Sequence, residues 1–151
     1  MPCDEGPRST ARLALAQPLQ TIHGETSFCG HVYKNSYPTV DHTRRFLGNL
    51  NHYFYVAEVD RELAGFLLAY KMERCDGERA MMFLYEIEVL SRHRRQGVGR
   101  ALVEAVKEEC ERQGFLKMFV ITGESNEPAQ RLYLASGGTL EQKGALLFHF
   151  K

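Results

Sequence analysis

Two glutamates, Glu86 and Glu88, close a long apolar run and could accept a proton from an attacking amine. Residues two apart on a β-strand point to the same face, so both carboxylates would lie on one side of a sheet. They would stand at the carboxyl end of a buried strand, where α/β sheets commonly bind ligands. A strand that simply emerges into solvent is the alternative, and the strongly apolar run before the pair favours function.

A basic turn, HRRQGVGRAL (residues 93–102), follows the glutamates. The first turn of a helix has backbone N–H groups without helical partners and a partial positive charge, which together favour an anion. Gly97 and Gly99 would let a phosphate approach the backbone closely. Charge-assisted contacts would come from Arg94, Arg95 and Arg100. Taken alone, the segment is equally consistent with a solvated basic turn, and it matches neither a Walker loop nor the dinucleotide fingerprint.

The third candidate is NEPAQRLYLASGG (residues 126–138). Asn126 and Pro128 are typical of a helix start, and one helical face would carry Ala129, Leu132 and Tyr133. A tyrosine at this spacing is most often a core aromatic. The functional alternative is a proton donor, because a phenol with a pKa near 10 can give its proton to a thiolate leaving group whose pKa is about 8.5.

Composition limits the classes of partner. The 151 residues include nineteen basic and nineteen acidic side chains, and this neutrality argues against broad nucleic-acid binding. No apolar run approaches the length of a membrane span. The four cysteines and six histidines show no metal-ligand spacing, so we expect no metal site and no covalent nucleophile. ARLALA is too short and interrupted for a signal-peptide core, so we expect reduced thiols and a cytoplasmic location.

A sheet with helices must position these candidates. HYFYVAEV and ELAGFLLAYKME predict a hairpin that turns at Asp60-Arg61, and RAMMFLYEIEVL predicts a central strand buried on both faces. GVGRALVEAVKEECERQG predicts an amphipathic helix that ends at Gly114. A short strand in KMFVIT, a helix after Pro128 and a final strand in ALLFHF follow.

The first third of the chain has a weaker pattern. Residues 1–10 are expected to form a flexible leader, and residues 10–51 are irregular apart from one predicted helix, Val40 to Leu50. That helix has Asp41 as its candidate cap and Gly48 near its end. Residues 11–151 are therefore predicted to form a single α/β (or α+β) domain.

Together these segments resemble the GNAT superfamily of acetyl-CoA-dependent N-acetyltransferases. The resemblance starts near Tyr53 and is carried by YEIEVL, by the Arg-x-x-Gly-x-Gly turn, and by the Asn-x-x-Ala-x-x-x-Tyr helix followed by Gly137. It implies the GNAT fold, a mixed central β-sheet flanked by helices in a single domain. A narrower resemblance, to aminoglycoside 3-N-acetyltransferases of the gentamicin-resistance type, is carried by Leu47 to Leu50, by Glu86 after Tyr85, and by HRRQG.

The resemblance implies a site for acetyl-CoA, whose pyrophosphate would bind the backbone N–H groups of residues 95–100. The implied cofactor-binding residues are Val89, Leu90, Arg94, Arg95, Gln96, Gly97, Val98, Gly99, Arg100, Asn126 and Ala129. The Val89 N–H would be the oxyanion donor. Glu86 or Glu88 would accept the amine proton and Tyr133 would protonate the CoA thiolate, in a direct transfer through a ternary complex.

The implied acceptor is an aminoglycoside, a polycation that needs a site lined with carboxylates. The candidates are Glu86, Glu88, Asp41, Glu124 and Glu127. A polyamine, another small amine or a peptide N-terminus would suit the same charges, and a non-catalytic acyl-CoA-binding module is the alternative outside enzymes. The resemblance also suggests a homodimer, for which ALLFHF could supply a sheet edge.

Overall fold

The computed structural model describes residues 11–15 and 38–141. The predicted leader at residues 1–10 and the predicted strand ALLFHF lie outside the described residues. Residues 1–121 and 122–151 form two compact units. In the first unit the described elements are β1 (Ala11–Leu15), α1 (Val40–Leu47), β2 (His52–Val59), β3 (Glu62–Met72), β4 (Met81–Val89), a 3-10 turn (Ser91–His93), α2 (Val98–Gln113) and β5 (Met118–Val120). In the second unit the described element is α3 (Glu127–Ala135).

The five described strands form one sheet in the order β1-β2-β3-β4-β5. The first four run antiparallel to their neighbours and β5 runs parallel to β4, so the predicted mixed sheet is confirmed. Strand β1 was not predicted, and it pairs along its whole length with residues 55–59 of β2. None of the described helices is long and apolar enough to cross a membrane.

Local sequence sets the ends of these elements. Asp60 and Arg61 both have positive φ, 53° and 67°, which is the geometry of a tight two-residue hairpin, and the predicted turn is confirmed. The helix predicted from Val40 to Leu50 is confirmed over Val40–Leu47 and ends at Gly48. The predicted cap, Asp41, is wrong, because the side chain of Thr39 accepts the His42 N–H at 3.2 Å. Helix α2 ends as predicted at Gly114, whose φ of 69° is left-handed.

Strand β4 differs from the prediction of burial on both faces. Met82 and Leu84 are buried, whereas Tyr85 is 58% exposed. The cause is a bulge: Leu68 pairs with Glu86 and Ala69 pairs with Leu84, which leaves Tyr85 as an extra residue on β4. The bulge turns the side chain of Tyr85 out of the buried layer.

The bulge also decides which side chains of β4 share a face. Directly opposed residues of an antiparallel pair lie on one face, and Phe83, Glu86 and Glu88 are opposed to Tyr70, Leu68 and Phe66 in that order. Phe66 and Leu68 pack with Leu47 of α1 and Phe54 of β2. Both glutamates therefore belong to the face of the sheet that α1 covers, as the spacing of two predicted. Helix α2 contacts the sheet through other buried residues, namely Val98, Leu102, Val103, Val106 and Cys110.

Candidate active site

The second half of β4 has an open edge among the described residues. Strand β5 pairs with β4 only from Met82 to Leu84. The Leu90 N–H donates to the Ala64 carbonyl at 2.9 Å, so the alternation of the antiparallel ladder turns the backbone groups of Val89 and Ile87 away from β3. The Val89 N–H, the predicted oxyanion donor, therefore lies on the open edge.

Arg94 fixes the end of this strand. Its Nε donates to the Val89 carbonyl at 2.9 Å, and its Nη2 donates to Oε1 of Glu88 at 3.1 Å. Both side chains are partly exposed, 60% for Arg94 and 44% for Glu88. The sequence assigned Arg94 to phosphate and Glu88 to proton transfer, whereas here the two side chains bind each other.

The backbone groups of Leu90 make hydrogen bonds within the protein. Its N–H is bound to Ala64, and its carbonyl accepts the His93 N–H at 2.8 Å. Both backbone groups of Leu90 are thus engaged, which leaves Val89 as the member of this predicted pair with a backbone donor on the open edge.

Gly65 is a residue of this site that the sequence analysis missed. It pairs with Val89, and a Cβ atom at this position would lie 2.5 Å from the Glu88 carbonyl oxygen. Any larger residue would push β3 away from the strand end that carries Glu88 and Val89. Its signal in the sequence is a glycine inside a strong strand pattern, which often marks a close approach of backbone.

The basic turn leads into an uncapped helix. Arg95 and Gly97 both have positive φ, 63° and 83°. Gly97 contributes no side-chain cap to α2, the first turn holds no acidic residue, and the Ala101 N–H donates to the Gly97 carbonyl at 2.9 Å. The backbone N–H groups of Val98, Gly99 and Arg100 precede that first helical bond and have no partner within the helix. This arrangement is suited to an anion.

Two other side chains of this segment make contacts within the protein. Nε2 of Gln96 donates to the Arg92 carbonyl at 3.0 Å, and His93 is buried. The left-handed conformation of Arg95, a non-glycine residue, is the kind of local strain that clusters at binding sites.

Glu86 lies beside two phenol rings. The rings of Tyr70 and Tyr85 meet edge to face, with centroids 5.5 Å apart. Burial is the main cause that raises the pKa of Tyr70, followed by the neighbouring Tyr85 and Glu86. The described residues therefore place an arginine against Glu88 and a phenol ring near Glu86.

The second unit holds the remaining predicted residues on and before α3. Oδ1 of Asn126 accepts the Ala129 N–H at 3.3 Å, which confirms the predicted helix start. Tyr133 is half-buried, and this burial raises its pKa. Glu127 pairs with Arg131 one turn later, and the backbone carbonyl of Glu124 accepts Nε2 of Gln130 at 2.8 Å.

Two observations on the described residues concern metal and thiol chemistry. No group of three or more His, Cys, Asp or Glu residues there could hold a metal ion. Burial, together with Glu109 and Glu111, raises the pKa of the Cys110 thiol to about 11, so that thiol stays protonated and inert at neutral pH. Asp41, the remaining acidic candidate, pairs with Arg44 on α1 at 3.0 Å.

Comparison with known sequences gives a family and a group of relatives. The sequence model of the "Acetyltransferase (GNAT) family" matches residues 19–137. N-acetyltransferase 8 of Rattus norvegicus is 30% identical over 97 residues, which are 64% of this chain and 44% of that protein. The chain spans about half the length of the curated relatives it matches.

Comparison with solved structures gives the fold. An aminoglycoside acetyltransferase from an uncultured soil metagenomic sample, solved with sisomicin, superposes with a TM-score of 0.81 at 20% identity and covers 93% of this chain and 96% of that one. Aminoglycoside N-acetyltransferase AAC(6')-Iy, solved with CoA, gives 0.74 at 20% identity, with 99% and 98% covered. The predicted fold class is confirmed.

Proposed function

The chain belongs to the acetyltransferase (GNAT) family, and on that premise we propose that it transfers an acetyl group from acetyl-CoA to an amine of an aminoglycoside. The observation that carries the proposal is the uncapped start of α2. Three helical N–H groups there precede the first helical bond, and they follow a turn with Arg95 and Gly97 in the left-handed region. A helix start of this kind binds phosphate groups without any further side chain.

Acetyl-CoA supplies the activated acetyl group in this family. We assign its pyrophosphate to the backbone N–H groups of residues 95–100, with Arg95 and Arg100 adding charge. The Val89 N–H on the open edge would donate to the acyl oxygen, where a hydrogen bond stabilises developing negative charge. Asn126 and Ala129 stay assigned to the pantetheine arm by the family resemblance.

Glu86 is the proposed proton acceptor. Nη2 of Arg94 donates to Oε1 of Glu88 at 3.1 Å, and the same arginine holds the Val89 carbonyl, so we assign Glu88 to positioning the end of the strand. Glu86 would take the amine proton at a carboxylate oxygen. Tyr133 would return a proton to the leaving thiolate, a role carried by the family resemblance and compatible with a raised pKa, because the phenol stays protonated at neutral pH.

The aminoglycoside acceptor is supported by the two aminoglycoside acetyltransferases that share the fold and by the carboxylates of Glu86 and Glu88. Three further parts of the proposal come from the resemblance: transfer to the 3-amino group, a role in antibiotic resistance, and a homodimer. A cytoplasmic location is proposed from the composition and the expected reduced thiols. The match to N-acetyltransferase 8 supports N-acetyl transfer without naming an acceptor, so a polyamine, another small amine or a peptide N-terminus is the second candidate.

The test is thiol release from acetyl-CoA by the purified chain, with sisomicin, gentamicin, spermidine and a peptide as acceptors. We expect turnover with the two aminoglycosides. Turnover with the peptide alone would show that the acceptor is a peptide and not an aminoglycoside. Tight CoA binding without turnover would favour the non-catalytic acyl-CoA-binding module.

The matched pair Glu86→Gln and Glu88→Gln tests the assignment of the base. We expect Glu86→Gln to lower kcat about a hundredfold or more at neutral pH. Glu88→Gln keeps an oxygen that can accept from Arg94, so we expect it to keep most of the activity. The reverse order of effects would assign the base to Glu88.

A further inference from the structure

A row of aromatic rings crosses the face of the sheet that carries Glu86. Each ring contacts the next, with centroid distances of 5.1 Å for His52–Tyr70, 5.5 Å for Tyr70–Tyr85, 6.0 Å for Phe83–Tyr85 and 5.1 Å for Phe83–Phe119. The row runs from β2 to β5. Of these rings, those of His52, Tyr70, Phe83 and Phe119 are half-buried.

Tyr85 is the point at which this row is open to solvent. At 58% exposure it is the one aromatic among the large hydrophobic residues that are exposed in the described part of the chain. Core packing does not explain an exposed phenol in the middle of a sheet. The bulge places it there, and bulges commonly re-aim a side chain beside a binding site.

Glu86 adds a carboxylate next to Tyr70 and Tyr85, and these three residues are called the cluster below. Glu86 follows Tyr85 directly, and both lie on the face that carries Tyr70. A carboxylate and the electron-rich faces of phenol rings attract the same kind of group, an organic cation. The cluster also adjoins the open edge of β4, to which we have assigned the acetyl group.

We propose that Tyr85, Tyr70 and Glu86 form the acceptor subsite and that they select a primary ammonium carried on a saturated ring. This inference rests on the proposed function and names the group that the site prefers. Glu86 pairs with the charge, and the exposed face of Tyr85 covers the C–H groups of the ring that bears it. A linear polyamine gains the charge pairing but presents less surface to the phenol.

The first experiment compares Tyr85→Leu with Tyr85→Phe, since leucine keeps apolar bulk and phenylalanine keeps the ring. With sisomicin as acceptor we expect Tyr85→Leu to raise the acceptor KM about tenfold, whereas Tyr85→Phe stays within about twofold of the original chain. The KM for acetyl-CoA should be unchanged in both variants. The preference for sisomicin over spermidine should shrink in Tyr85→Leu alone.

The proposal is overturned if Tyr85→Leu leaves the KM for sisomicin unchanged while the original chain acetylates it. It is also overturned if the KM for acetyl-CoA rises by the same factor, because the ring would then serve the strand and not the acceptor. Equal thermal midpoints for the two variants establish that the leucine variant is folded.

A second experiment does not depend on turnover. Tetramethylammonium, a cation that cannot donate a hydrogen bond, is titrated into the protein while the ring protons of Tyr70 and Tyr85 are followed by NMR, with tert-butanol as the neutral control; in Tyr85→Leu the Tyr70 ring protons are followed. We expect saturable shifts with the cation, none with the alcohol, and loss of binding in Tyr85→Leu. Binding of the cation by a chain that acetylates no amine would overturn the proposed function and keep the subsite, whereas equal shifts with both probes would overturn the subsite.

Discussion

Two helices of this chain begin in opposite ways. Helix α3 is closed at its start: Asn126 caps it through the Ala129 N–H, Pro128 brings no N–H, and Glu127 places a negative charge in the first turn. Helix α2 begins after Gly97, which has no side chain to offer, and its first turn contains Arg100 and no acidic residue.

The difference shows where an external anion can be bound. Every helix start must satisfy its first N–H groups, either with its own side chains or with something else. Helix α3 uses its own side chains, so its start has no need of an anion. Helix α2 leaves the same N–H groups available to an anion. We therefore expect changes at α2 to alter binding of the pyrophosphate, and changes at α3 to alter chemistry or stability, with the Asn126 amide as the proposed exception.

The largest expected effect comes from α3. Replacing Tyr133 with Phe removes the proposed proton donor and should lower kcat about a hundredfold, while the KM for acetyl-CoA stays within about twofold. Steady-state kinetics with sisomicin measures both constants. Loss of acetyl-CoA affinity without loss of kcat would contradict the assigned difference between the helices, because Tyr133 of α3 would then serve binding and not proton transfer.

The pH profile gives the control for Tyr133. Burial raises the pKa of this phenol above its ordinary value of 10.0, so the phenol remains protonated through neutral and mildly alkaline pH. The kcat of the original chain should accordingly show no decline from this group below about pH 10. A decline near pH 8 would assign the acid to another residue.

The second effect comes from α2. Arg100→Glu puts a negative charge where the pyrophosphate is expected, and the lost charge-assisted contact should raise the KM for acetyl-CoA roughly thirtyfold. The same charge change at Arg131, an exposed residue of α3, serves as the matched control and should leave that KM unchanged. Equal effects in the two variants would mean that only the overall charge matters.

The smallest effect separates the two roles of Asn126. Asn126→Ala removes the cap and should lower the free energy of unfolding by about 1 kcal/mol, which denaturant titration can measure. Asn126→Asp keeps an oxygen that accepts the Ala129 N–H but loses the amide donor. If the amide contacts pantetheine, the aspartate variant keeps its stability and shows a higher KM for acetyl-CoA; an unchanged KM would leave Asn126 as a cap alone.

Much of the fold was predictable because it depends on local signals. The Asp60-Arg61 hairpin, the left-handed Gly114 and the Asn126 cap all follow from residue types at neighbouring positions. Strand β1 was missed because ARLAL alternates weakly and has no β-branched residue, so its pairing with β2 decides its structure.

The candidate site was less predictable, since its important features join residues that pattern alone does not relate. Nothing in the spacing indicates that Arg94 holds Glu88 and the Val89 carbonyl in place of an anion. The sequence also gives no sign of the bulge at Tyr85, because a continuous apolar run has the same pattern with or without an extra residue. Both features follow from the pairing of β3 with β4.

The bulge makes one position of β4 removable. Leu68 pairs with Glu86 and Ala69 with Leu84, so a chain that lacked Tyr85 would keep every one of these pairs in an unbroken ladder. Phe83, Glu86 and Glu88 would stay on their present face. A single-codon deletion could thus take away the exposed ring and spare the carboxylates. If Tyr85 contacts the acceptor as proposed, such a deletion would change the range of acceptors without rebuilding the sheet.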